Sequence, residues 1–345
     1  MNDITFFFKT FCIIKIVFFC NISCFSHFKI VLYKYFMLSL FQKTIKEKVI
    51  FKGHGLHSGL KSVLKIIPAE ENFGIIFKRI DLEKNNLIPA NYKNVSSAQL
   101  CTTLQNDSKI TVSTVEHLLA ALYITGIDNA LIEIDNSEVP IMDGSSKEFV
   151  ETINRIGTKD LKAKRKYLKV TKKFEYKNEE KLVSIEPNDS NELNVDFQLV
   201  YANKLIGTQR NEINFSKEDL EEVYSSRTFC LFEDIEQIKK IGLAKGGSLD
   251  NAVVVKNNEI LNSGGLRNLK EFVNHKILDL AGDFLLSGYR ILGNVKCVQG
   301  GHSLSNLFLR AFLSDKSNFV TLEPEEMLQV KSLPNQLDQK LAVNA

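Results

Sequence analysis

Residues 272–288 (FVNHKILDLAGDFLLSG) set Val273, Ile277, Leu278 and Phe284 among His275, Asp279 and Asp283, which recur at four-residue steps. That period predicts a helix, because residues four apart lie on one face, one turn above the other. A histidine and two carboxylates on an apolar helix are costly to bury without partners. A cation gripped by His275 and Asp279 would supply one. Zinc suits that donor pair if a third ligand comes from elsewhere and one position stays open. A solvated His–Asp pair on a surface helix fits the spacing equally well.

Elsewhere the pattern alternates between strand and helix. Residues 43–52 and 60–67 read as strands around Gly53-His54-Gly55-Leu56-His57-Ser58-Gly59, a tight turn without the Lys-Ser/Thr ending of a phosphate loop. His54 and His57 are candidate ligands there, with His54 expected simply to be solvated. Strands follow at 74–78, 100–104, 109–112 and 129–134. Ser113 three residues before Glu116 predicts a capping box at the start of a helix, which would give Glu116 a structural role. His117 precedes an apolar run and must face something. A Glu–His pair opening a helix would equally place a metal ligand beside a carboxylate able to deprotonate water. Ser145 with Glu148 predicts a second capping box, for a helix over 147–156, and the charged run 159–166 predicts a solvated linker between domains.

The second half repeats this plan, with strands at 167–174, 182–187, 193–199 and 207–215 and a helix beginning at 219–223. Another helix at 233–241, a glycine-containing loop at 244–248 and a short strand at 252–255 precede the helix described first. After it come a strand at 289–296 and a last helix at 304–312. Gly300-Gly301 before that helix would leave His302 free of steric cover, suited to reaching a substrate or simply to being solvated. The polar tail after residue 323 is expected to be loosely held.

Composition changes the picture at one end. Residues 1–36 are crowded with Phe, Ile, Lys and Cys and hold four of the 44 basic residues but one of the 41 acidic, so the remainder carries 40 of each. A balanced chain gives nucleic acid nothing to bind. The longest uncharged run in the segment, 16–28, falls short of the ~20 apolar residues a spanning helix needs, and no small-residue cleavage site follows. The first reading of 1–36 is a misplaced start, with Met37 as an internal one; a membrane-associated leader is the second. Cys101, Cys230 and Cys297 stand apart without CxxC, which points to a reducing cytoplasm.

Five motifs together resemble one family: Thr114-Val115-Glu116-His117-Leu118, Pro140-Ile141-Met142-Asp143-Gly144-Ser145, Arg227-Thr228-Phe229, His275-Lys276 with Asp279 and Asp283, and Gly301-His302 with Leu304 and Asn306. Gly55-Leu56-His57-Ser58-Gly59 and Gly246-Gly247-Ser248 match as well. The family is the zinc-dependent UDP-3-O-acyl-N-acetylglucosamine deacetylases of lipid A biosynthesis, and the likeness runs in one register from about Met37 to near the C-terminus. The resemblance implies an α+β fold of two similar domains, 37–164 and 165–345, each a β-sheet packed on helices, with the helices sandwiched between the two sheets.

Carried over, His117, His275 and Asp279 would hold one Zn2+ per chain and Glu116 would be the general base. Thr228 would steady the oxyanion, and a protonated His302, oriented by Asp283, would protonate the leaving amine. Lys276 would meet developing negative charge or a diphosphate oxygen, Phe229 would stack on the sugar or flank the nucleotide, and His57 would contact substrate. The acyl chain would enter a passage built around residues 242–255. Cys230 stands where the family pattern has glycine, and Ser58 where it has threonine. The expected setting is cytoplasmic, at the inner face of the inner membrane if the acylated substrate draws the enzyme there, as a monomer without an obligate protein partner. Another zinc amidase is the competing enzyme reading, though no HExxH occurs; a catalytically silent binding homologue is the non-enzyme alternative.

Overall fold

The computed structural model describes residues 39–326 apart from Lys217 and Glu325. The 1–36 extension, and the tail beyond 326, lie outside the described residues. In the first half, β1 (Phe41–Ile45), β2 (Val49–His54), β3 (Lys61–Pro68), β4 (Ile75–Arg79) and β5 (Leu87–Pro89) are followed by the short strands β6 (Val95–Ser97), β7 (Thr103–Gln105) and β8 (Thr111–Val112). Helix α1 (Glu116–Ile124), β9 (Ala130–Ile134), α2 (Lys147–Ile156) and β10 (Thr158–Lys164) complete it. The main sheet runs β2-β3-β9-β4-β5, antiparallel except for the parallel pair β4–β9. Alternation does its usual work: Ser62, Leu64 and Ile66 of β3 point inward while their neighbours reach toward solvent.

The second half holds β11 (Tyr167–Val170), β12 (Phe174–Asn178), β13 (Lys181–Glu186), β14 (Leu193–Val200), β15 (Thr208–Asn214) and the one-turn helix α3 (Glu221–Tyr224). Next come β16 (Phe229–Leu231), α4 (Ile235–Lys240), β17 (Val253–Lys256), β18 (Glu259–Ile260), α5 (Glu271–Leu285), β19 (Arg290–Val298), α6 (His302–Ser314) and β20 (Phe319–Leu322). β19 is the hub of a seven-stranded sheet, pairing with β11, β13 and β14. Strands β16, β17 and β18 form a separate small sheet.

Helices lie between these two main sheets. Phe149 of α2 meets Phe51 of the first sheet edge to face, and Phe308 of α6 meets Phe174 of the second. Between them, α1 buries eight of its nine residues and α5 fourteen of fifteen, as a helix covered on every side must. Leu118, Leu119 and Leu122 are fully buried and each contributes about 1.5–3 kcal/mol. The two helices cross in backbone contact at Gly282, where a Cβ would overlap the carbonyl oxygen of Glu116. This is the α+β architecture expected. No helix among the described residues is long and apolar enough to cross a membrane.

Three local expectations fail. The charged run at 159–166 is no solvated linker. Most of it is β10, which pairs antiparallel with β1, so a ladder satisfies its backbone while its charges face water. Arg165 just beyond is buried, bonded to Asp128 and the Gly126 carbonyl. Neither capping box forms: Ser113 Oγ donates to the Ser137 carbonyl, and Ser145 Oγ donates to Asp143 and accepts from the Lys147 amide instead of that of Glu148. The last helix starts at His302 itself, so that histidine is buried rather than free of cover.

Candidate active site

Because α1 and α5 touch at Gly282, the first turn of one faces the middle turns of the other. His117 and His275 stand with ring centroids 5.0 Å apart and planes at 86°. Asp279 Oδ1 lies 3.5 Å from Nε2 of each. One donor atom from each of the three residues falls within a 4.8 Å cluster, and all three residues are buried. Donors around a tetrahedral ion at about 2.0–2.1 Å sit roughly 3.3 Å apart, close to the spacing here. Asp279 Oδ1 is buried without a hydrogen-bond partner, as an atom reserved for a cation would be. Nδ1 of His275 lies 3.1 Å from the Ser226 carbonyl, a bond that fixes its proton there and leaves the Nε2 lone pair facing the cluster. Burial pushes the His275 imidazole down to about 3, so it is neutral, as a ligand must be. The site therefore fits a cation.

An acid–base pair flanks the cluster. His302 Nε2 lies 3.7 Å from Glu116 Oε1 and 3.8 Å from Asp279 Oδ2, while its Nδ1 meets Asp283 Oδ2 at 2.9 Å. Burial pulls the His302 imidazole down, but the carboxylates of Asp283, Glu116 and Asp279 outweigh it and hold the ring up at about 10. Burial pushes the Glu116 carboxyl above its ordinary range, an effect that His302 and His117 offset in part. Burial also opposes ionisation of Asp279, yet His275, Lys276 and His302 keep its carboxyl well below the usual range.

A family model described as UDP-3-O-acyl N-acetylglycosamine deacetylase matches residues 42–314. The chain belongs to this family. A UDP-3-O-acyl-N-acetylglucosamine deacetylase of Mannheimia succiniciproducens is 40% identical over 301 residues, covering 86% of this chain and 98% of the relative. One from Idiomarina loihiensis is 41% identical over 290 residues (83% and 94%), and one from Haemophilus influenzae 40% over 292 (83% and 95%). The resemblance read from five motifs thus holds along most of the chain.

The structure brings the other expected residues of this family's pattern to the same place. Lys276 Nζ donates to Asp279 Oδ2 at 2.9 Å and lies 5.8 Å above the Phe229 ring, itself 6.3 Å from the His275 ring. Thr228 and Phe229 line two cavities that diverge from the site. One, of about 350 Å³, is walled by Leu56, Phe232, Ile235, Ile238, Ala252 and Val254. The other, of about 580 Å³, is lined by Lys181, Tyr201, Lys276, Gly301 and His302. His57 is buried beside the apolar cavity, its Nδ1 accepting from the Ala244 amide, whereas His54 is exposed, as expected.

Sequence reasoning missed several residues that hold this arrangement. Glu138 is buried and accepts from the amides of His57 and Ser58 and the hydroxyl of Thr114. Glu271 is fully buried and pairs with Arg227 at 2.7 Å, fixing the turn before Thr228. Thr102 reaches both Glu116 and Asp283. A lone glutamate or threonine outside a periodic run carries no signal of such contacts.

Proposed function

We propose that this chain hydrolyses the N-acetyl group of UDP-3-O-acyl-N-acetylglucosamine, releasing acetate and the free amine, the committed step of lipid A biosynthesis. Membership of the family supports the substrate, and one observation carries the chemistry: a protonated histidine and a buried glutamate lie 3.7 Å apart beside a three-residue cluster of candidate cation donors. A zinc ion held by His117, His275 and Asp279 would supply Lewis acidity toward the acetyl carbonyl and make water easier to deprotonate.

The side chains do the rest. Glu116 Oε1 takes a proton from the attacking water as its oxygen bonds to the amide carbon. Thr228 donates its hydroxyl to the oxygen on which charge develops. His302 gives its Nε2 proton to the departing nitrogen as the C–N bond breaks, while Asp283 keeps the ring turned through Nδ1. Lys276 stays cationic because Asp279 outweighs the effect of its burial, and with Lys181 it lines the cavity suited to the diphosphate. Phe229 flanks the sugar. His57 lines the apolar cavity, which takes the acyl chain along residues 242–255. The proposed setting is cytoplasmic, with contact at the inner membrane face through which an acylated substrate arrives.

The test is acetate release from UDP-3-O-acyl-N-acetylglucosamine by the 345-residue chain, as purified, after chelation and after zinc is restored. Activity that disappears and returns supports the reading. A folded, zinc-loaded protein that leaves this substrate intact refutes it.

A further inference from the structure

Thr102 takes no part in the chemistry above, yet it is 2% exposed and touches both carboxylates of the acid–base machinery. It sits just before β7, on a hairpin that belongs to neither α1 nor α5. Its amide donates to Glu116 Oε2 at 3.0 Å, and its hydroxyl donates to Asp283 Oδ1 at 2.7 Å. Each carboxylate is thereby divided. One oxygen is held by Thr102, and the other faces His302: Glu116 Oε1 at 3.7 Å from Nε2, Asp283 Oδ2 at 2.9 Å from Nδ1. The contacts close a ring of four residues drawn from the hairpin and from three helices, α1, α5 and α6. The hairpin itself is tied to α1 by the Val115 amide, 3.4 Å from the Thr102 carbonyl, and Glu116 follows directly.

We propose that Thr102 is a positioning residue whose hydroxyl selects which oxygen of Asp283 holds His302, and so keeps the ring facing the Glu116 oxygen that the Thr102 amide leaves free. The assignment rests on the deacetylase reading for its kinetic consequence but not for its geometry. Chemistry explains why one residue suffices. A carboxylate with both oxygens free can rotate about its last bond and present either to a histidine; a short donor on one oxygen removes that freedom. Threonine's branched Cβ restricts its own rotation, so the hydroxyl and amide stay in fixed relation. A purely structural role would be to satisfy two buried oxygens, and the two roles part company under substitution. Thr102→Val keeps shape and amide but removes the hydroxyl. Thr102→Ser keeps both donors.

The experiment compares Thr102→Val, Thr102→Ser and the unaltered chain, all zinc-loaded, by kinetics and by the low-field proton resonance of the His302 Nδ1–H, assigned by its absence in His302→Ala. Thr102→Val is expected to lower kcat at least tenfold with KM within about twofold and full metal content, and to shift or broaden the His302 resonance. Thr102→Ser should restore both. An unshifted resonance in Thr102→Val overturns the proposal, as does a loss of metal that accounts for the lost rate, or a Thr102→Ser as impaired as Thr102→Val. If the unaltered chain fails to deacetylate the substrate, the functional reading falls by itself, and the resonance comparison still decides the role of Thr102.

Discussion

The floor of the site and the apolar cavity beside it are built on opposite terms. On the floor, Glu116, His117, His275, Asp279 and Asp283 are all at most 4% exposed, and hydrogen bonds hold Glu116 Oε2, His275 Nδ1, Asp279 Oδ2 and both oxygens of Asp283. Around the cavity, the apolar side chains of Leu100, Phe232, Leu249 and Leu261 remain 36–49% exposed. Cation and proton chemistry depends on donor positions to within fractions of an ångström. Holding a hydrocarbon chain depends on volume and area alone. A floor residue should therefore fail all at once, and a cavity residue by degrees.

The sharpest way to break that contrast is His275→Ala, which should remove bound metal and turnover together, read by metal analysis beside the rate. His302→Ala should keep its metal while kcat falls between about 100-fold and 10,000-fold, the usual worth of an acid–base group; a metal-free His302→Ala would move histidine 302 into the ligand set. Gly282→Ala forces α1 and α5 apart and should cost about 1–3 kcal/mol in denaturant unfolding, with metal affinity falling too. Unchanged affinity would mean the helices yield without moving the ligands.

A smaller effect concerns pH. His302 is held at about 10 in the folded, metal-free protein, against about 6.5 for an unfolded histidine. A raised pKa stabilises the fold fully below the unfolded value and loses that contribution as pH rises through the folded one. Melting temperatures of chelated protein should decline between pH 6.5 and 10, and His302→Gln should flatten the decline. The mildest test lies in the cavity. Val254→Phe should leave kcat on short-chain substrates alone and reduce kcat/KM for long chains, by about fourfold per excluded methylene at ~0.8 kcal/mol each.

The same contrast explains what could be read from the chain. The α5 face was legible because His275, Asp279 and Asp283 sit at helical spacing within one element, and Glu116-His117 because they open an apolar helix. His302 was found, but its surroundings were misjudged: two glycines suggested openness, whereas they let a helix begin where the ring can enter between Asp283 and Glu116. The Ser113–Glu116 spacing suggested a cap because local pattern takes no account of Ser137, which claims the serine hydroxyl. Thr102 was invisible for a related reason. Its partner Asp283 lies 181 residues away, and nothing in a threonine's neighbours records so distant a bond.

The backbone crossing at Gly282 also orders events in time. His117 comes from the first half of the chain, and His275 and Asp279 from the second, so a ribosome must release both before any donor cluster exists. Either half alone holds only one or two of the three candidate donors, and its helix lacks the partner that covers it at Gly282. The donor cluster can exist only after both halves have been made. Two separately expressed fragments that recover acetate release on mixing would report, by that activity alone, that α1 and α5 have met.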